Sequence, residues 1–144
     1  MDTKLEVVVI PVADVDRAKA FYKALGWRED ADFPAGDDFR VVQMTPPGSP
    51  CSVIFGTGVS DAAPGSAQGL HLVVSDVEAA RAELVERERR SARSSTTPEA
   101  CSTAPYRQPG PRARPEQLRL LRLLQRPDGN GWILQEITER LPGR

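Results

Sequence analysis

The sequence predicts an α+β fold. Three observations predict it: a strand–turn–helix unit that occurs twice, a pair of short apolar segments between the copies, and a turn followed by a strand near the end. The two copies are EVVVIPVADVDRAKAFYKALGW at 6–27 and QGLHLVVSDVEAARAELVERER at 68–89. Laid over each other, Val8 meets Leu70, Ile10 meets Leu72 and Val12 meets Val74. Asp14 then meets Asp76, Val15 meets Val77, Ala18 meets Ala80 and Tyr22 meets Leu84. Self-similarity of this kind marks a duplicated supersecondary unit.

Each copy begins with an apolar run that reads as a buried strand, over 5–11 and 70–74. Asp14 and Asp76 follow as N-caps, because a carboxylate accepts from the free N–H groups of a helix's first turn. Val15, Ala18, Phe21, Tyr22 and Leu25 then form one apolar stripe at helical spacing. Gly26 suits the residue past the helix end, where φ turns positive. Residues 27–33 suit a further strand. FRVVQMTPP at 39–47 and PCSVIFGTG at 50–58 are short, apolar and bounded by Gly and Pro, so both read as strands. At the far end, Asp128-Gly129-Asn130-Gly131 is a strong turn signal, and 132–138 is the strand that leaves it.

The chain has 144 residues, one domain's worth, and can bury a core. It is 40% hydrophobic and 27% charged with a net charge of −1, so its overall charge suggests neither a nucleic-acid nor a membrane partner. No apolar stretch approaches the roughly 20 residues of a membrane span, and the N-terminus lacks a secretory apolar region. Cys51 and Cys101 form neither a disulfide framework nor a metal spacing. A cytoplasmic protein with free thiols is expected. Lys stops at Lys23 and every later basic residue is Arg; with abundant Ala, Gly and Pro this suggests a GC-rich bacterial gene.

The V-x-D-V-x-x-A junction twice, ALGW after the first helix and PDGNGW before the last strand together resemble the vicinal oxygen chelate superfamily. Its members include glyoxalase I, extradiol dioxygenases and bleomycin-resistance proteins. The resemblance covers roughly 5–85 and 127–144. It implies two paired βαβββ modules forming a curved mixed sheet around a cleft, within a single domain over 1–144. Module one is about 1–62 and module two about 66–144. It also implies a small-molecule ligand and a homodimer. It leaves the reaction open, because one scaffold carries many chemistries: a lyase, a dioxygenase and a binding protein that sequesters its ligand all remain.

Residues 87–126 do not fit this pattern. They hold ten Arg against three Glu, a local charge of +7 that leaves −8 for the remainder. No Val, Ile, Phe, Met or Trp occurs from 88 to 131. A disordered Pro/Arg-rich insertion and a basic arm are two readings, and neither explains why two expected strands vanish together. Codon degeneracy permits a third. Residues 117–126, coded as CAA CTA CGG CTC CTT CGC CTC CTT CAG CGA, become NYGSFASFSD when moved by one base, and run into PDGNGW. Residues 91–104 convert similarly to SEVFHDAGGVFHR. The segment is therefore read as frame-shifted text. Even so, 118–124 is expected to serve as a strand beside 132–138, and 91–115 to be mostly irregular.

In the superfamily, metal ligands project from the cleft face of the sheet. The resemblance places them seven residues before each junction Asp and four after the turn Gly. Those positions are Val7, Gly69 and Ile133, and none can bind a metal. No metal site and no cofactor are expected; a divalent metal would rest on the resemblance alone. By strand alternation, Val7, Val9, Gly69, His71 and Val73 should face the cleft. His71 is the only histidine. It reads as a satisfied polar residue, as a ligand contact or as a general base. One His without converging carboxylates makes a poor metal centre. The expected ligand contacts are Val9, His71, Gln135 and Trp132, with His71 the catalytic candidate if chemistry occurs. Trp27, Phe39, Phe55 and Trp132 more simply fill core than stack on a ligand. Glu6, Asp37 and Asp38 read as solvated, and Cys51 has no evident base to activate it.

Overall fold

The computed structural model describes residues 1–94, 119–125 and 128–137. The chain clusters into two compact units, 1–67 with 126–130 and 68–125 with 131–144.

The first unit runs β1 (Val7–Val9), α1 (Val15–Ala24), β2 (Arg28–Pro34), β3 (Arg40–Thr45) and β4 (Ser52–Thr57). Its sheet order is β1-β4-β3-β2. β1 and β4 are parallel, while the β3–β4 and β2–β3 pairs are antiparallel. β1 is shorter than the 5–11 expected. Backbone bonds from Ser52 to Glu6 (2.8 Å) and from Ile10 to Ile54 (2.9 Å) continue the pairing at either end. Pro11 has no N–H to carry it further.

α1 starts where Asp14 caps it, its side chain accepting from the Arg17 N–H at 2.9 Å. It stops at Gly26, whose φ of 83° lies in the left-handed region. Its buried face carries Ala18, Tyr22 and Leu25 against Val42, Met44, Val53 and Phe55 of the sheet. Tyr22 stacks on Trp27 and Phe55, with ring centroids 4.6 and 5.6 Å away. Phe39 departs from the expected core set: it sits in the turn before β3 and is 39% exposed, whereas Trp27, Phe55 and Trp132 are buried.

A charged cluster ties α1 to β2 and β3. Arg40 grips Asp32 with two bonds, Nε to Oδ1 at 2.9 Å and Nη2 to Oδ2 at 2.8 Å. Lys19 of α1 adds a third at 2.6 Å, and Arg40 reaches Asp16 at 2.8 Å. The guanidinium of Arg40, then the ammonium of Lys19, hold the Asp32 carboxyl well below the usual carboxylate range. Hydrogen bonds to Asp32 and Glu29 raise Lys19 in turn.

The second unit runs β5 (Leu70–Val74), α2 (Val77–Ser94), β6 (Arg119–Gln125) and β7 (Gly131–Glu136). Its order, β5-β7-β6, repeats β1-β4-β3, again with a parallel and then an antiparallel pair. The counterpart of β2 would fall between α2 and β6, outside the described residues. So does most of the expected irregular stretch at 91–115, of which 91–94 are helical.

Asp76 starts α2, accepting from the Glu78 and Ala79 N–H groups at 2.9 Å each. The helix then runs 18 residues against 10 for α1. The physical reason is at Glu88, which stands where Gly26 ends α1: without a residue that favours positive φ, nothing local stops the helix. Exposed i,i+4 pairs, Arg87–Glu83 at 2.6 Å and Arg90–Glu86 at 3.2 Å, support it slightly. The Leu/Arg run becomes β6, antiparallel to β7. Its composition does not favour a strand, but an unpartnered β7 would leave backbone groups unpaired, and that costs more than the propensity does.

The turn at 128–130 belongs to the first unit. Asp128 Oδ1 accepts from the Ala13 N–H at 2.8 Å. Asn130 is buried; its Nδ2 donates to the Pro11 carbonyl at 2.8 Å and its Oδ1 accepts from the Ala67 N–H at 3.1 Å. Gly65, at φ 78°, lies so near that a Cβ there would fall 1.9 Å from the Asp128 carbonyl oxygen. The closing turn is thus held by the strand-to-helix junction of the first copy and by the residues leading into the second.

Candidate functional site

Pairing register sets the two faces of the second sheet. Leu70 pairs with Trp132, His71 with Ile133, Leu72 with Leu134 and Val73 with Gln135. Leu70, Leu72, Trp132, Leu134 and Glu136 therefore share the face that packs on α2. Trp132 and Leu134 are buried there, and Glu136 Oε2 accepts from the Val77 N–H at the start of α2, at 2.9 Å. The sequence reading missed this role of Glu136.

The other face presents His71, Val73, Ile133 and Gln135. His71 is exposed and Val73 is 43% exposed. His71 Nδ1 lies 3.0 Å from Gln135 Oε1. An amide oxygen only accepts, so Nδ1 donates this bond, which leaves Nε2 outside the pair. Two of the expected contacts thus come together. Trp132 does not join them: it lies on the helix face, 4% exposed, and serves the core. Period-two alternation from Gln135 already separates the two, since 132 and 135 differ by an odd number.

In the first unit the face away from α1 carries Val7, Val9, Gln43, Thr45, Ser52 and Ile54, by the register Val7–Ser52, Val9–Ile54 and Gln43–Ile54. Val9 is 42% exposed. Three polar side chains on this face form a row that the sequence reading did not single out. Gln43 Nε2 donates to Ser52 Oγ at 3.3 Å, and Ser52 Oγ lies 2.6 Å from Thr45 Oγ1. Thr45 Oγ1 in turn donates to Asp30 Oδ2. Arg28 Nε closes the row on Asp30 Oδ1 at 2.5 Å. Thr45 and Ser52 are buried. The Thr45 hydroxyl, then the Arg28 guanidinium, lower the Asp30 carboxyl below its ordinary range. The strand VVQMT does show polar residues at alternate positions, Gln43 and Thr45, which is the one signal that could have found part of the row.

A shallow groove of about 630 Å³, lined by Gly26, Arg28, Thr45 and residues 46–50, contains none of the expected site residues. Cys51 is a free thiol whose Sγ contacts the Ser52 carbonyl at 3.6 Å.

Val7, Gly69 and Ile133 offer no donor atom, and among the described residues no three His, Cys, Asp or Glu side chains converge. His71 has an amide as its neighbour. This donor set does not fit a divalent metal, which needs three or four ligands. No helix among the described residues is long and apolar enough to cross a membrane.

The profile of the bleomycin resistance protein-like N-terminal family matches residues 7–44. Among solved structures, the chain is similar to TnmS3, an antibiotic binding protein from Streptomyces sp. CB03234: 28% identity, TM-score 0.64, covering 94% of this chain and 97% of that one. It is also similar to a glyoxalase/bleomycin resistance protein from the same Streptomyces: 29% identity, TM-score 0.61, covering 92% and 100%. A member of the glyoxalase/bleomycin resistance protein/dioxygenase superfamily from Sphaerobacter thermophilus DSM 20745 shares the fold at 24% identity and TM-score 0.66, covering 94% and 98%. No curated protein matches. The repeated strand–helix units, the matching strand orders and these likenesses agree: the chain has the fold of the vicinal oxygen chelate superfamily and is similar to glyoxalase/bleomycin resistance proteins.

Proposed function

We propose that the chain binds a small organic molecule and holds it chemically unchanged, without a metal. The observation that carries this reading is the His71–Gln135 pair on an exposed sheet face beside Val73 and Ile133. Such a surface offers an apolar bed, one oriented imidazole and one amide. Among the described residues it has no second acid or base to move protons in concert, and catalysis by proton transfer requires a partner group positioned on the substrate. The likeness to an antibiotic binding protein and the match to a bleomycin resistance protein-like family support sequestration over turnover.

Titration of metal-free bleomycin into the full chain, in buffer containing EDTA, tests the reading by calorimetry followed by mass analysis of the recovered ligand. Saturable binding with recovery of the original mass is expected. His71→Ala should weaken the dissociation constant roughly five- to tenfold, the worth of one net hydrogen bond, and leave the unfolding midpoint where it was. A product of altered mass, or a variant that loses stability while binding as before, overturns the proposal.

A further inference from the structure

The row on the first unit's outer face runs in one direction, and chemistry sets that direction. Asp30 is ionised and accepts only, so the single hydroxyl proton of Thr45 goes to it. Ser52 must then donate to Thr45, and the lone pair of Ser52 takes a proton of the Gln43 amide. Gln43 therefore spends Nε2 on the row, and its Oε1 is left with no partner among the described residues. We infer that Gln43 Oε1 is an oriented acceptor that selects ligands carrying an amide or hydroxyl N–H or O–H on a flat apolar body, at a contact point on the sheet of the first unit.

Two features of the sheet support this. The register of β2 against β3 shifts between Glu29 and Ala31, which leaves Asp30 as the extra residue of a bulge. Bulges re-aim side chains, and this one turns the Asp30 carboxylate onto Thr45. The neighbours of Gln43 across the strands are Ala31 and Ile54. Ala31 is too small to cover the amide, and Ile54 supplies apolar surface next to it. Val9, paired with Ile54, extends that surface and is 42% exposed. A sheet that needed only stability would place apolar side chains at 45 and 52, since buried hydroxyls must each find partners to break even. Here all of them are partnered, and the row ends at a half-buried amide. The ligand predicted to dock there is planar, uncharged and a hydrogen-bond donor.

The test uses nicotinamide and methyl nicotinate, two soluble probes with the same ring, of which only the first donates. Both are titrated into the full ¹⁵N-labelled chain, and the side-chain amide resonances of Gln43 are followed. Nicotinamide should bind about fivefold more tightly than the ester and should shift the Gln43 resonances. Ser52→Ala, which frees the amide to rotate, should bring the ratio toward one, and Gln43→Leu should abolish it while both probes still bind. His71→Ala should leave the ratio unchanged, which separates this inference from the function proposed above. Equal affinity for the two probes, no shift of the Gln43 amide, or an intact ratio in Ser52→Ala with native circular dichroism would overturn it.

Discussion

Asp32 is the residue on which the first unit's electrostatics converge. Its side chain is 17% exposed, and it accepts two bonds from Arg40 and one from Lys19. Because its folded carboxyl is depressed, its stabilisation is present above the unfolded value of about 4 and is lost as pH falls toward the folded value. Glu29, lowered by Lys19 and Lys23, and Asp30 act in the same direction. The wild-type thermal midpoint should therefore decline as pH drops below about 4. Asp32→Asn should lower stability at pH 7 by on the order of 1 kcal/mol, after allowing for solvent screening, and should shrink the acid decline. A midpoint-against-pH profile that superposes on wild type would show that the cluster contributes nothing. At this scale alternation put His71 on the cleft side of its strand, and the pairing of β5 with β7 brought Gln135 beside it. Trp132 fills core, as the simpler of its two readings had it, and its parity with Gln135 already assigned it to the helix side.

The two helices are near-copies in their first turns and differ at their ends. Gly26 at φ 83° closes α1, while Glu88 at the matching place lets α2 continue to Ser94. Gly26→Ala should cost about 1–2 kcal/mol, the penalty of a Cβ in the left-handed region, measured by urea unfolding; a neutral effect would mean that α1 ends for a tertiary reason instead. The strands show a different balance. β5 was legible residue for residue because LHLVV is a short apolar run between Gly69 and Asp76 that matches the first copy's strand. β6 was legible only through its neighbour: a Leu/Arg run takes strand form because β7 is next to it.

For the molecule as a whole, Asn130 is a side chain that joins distant parts of the chain. One buried amide bonds to Pro11 and Ala67, 119 and 63 residues away. Asn130→Ala removes both bonds and leaves a buried carbonyl and N–H without them. The expected loss is roughly 2–4 kcal/mol, read as a shift in the denaturation midpoint followed by Trp27 and Trp132 fluorescence. A loss under about 0.5 kcal/mol would show that water replaces the amide. The sequence marked 128–131 as a turn from its Asp, Gly and Asn content, but its second role depends on which strand ends lie beside it.

The amino-acid sequence by itself determined the duplicated strand–helix unit, both helix starts, the strand at 70–74 and, as the segments 39–47 and 50–58, the strands that form at 40–45 and 52–57. All of these follow from local rules: period-two and period-3.6 hydrophobicity, capping by Asp, and glycine at positive φ. Only the tertiary structure decided that β1 and β5 pair in parallel with β4 and β7, and that Asn130 clasps Pro11 and Ala67. It alone decided that a bulge turns Asp30 toward Thr45, Ser52 and Gln43. Those contacts join residues far apart in the chain or depend on a one-residue slip in register, and such a slip exchanges the faces of a strand without changing its pattern.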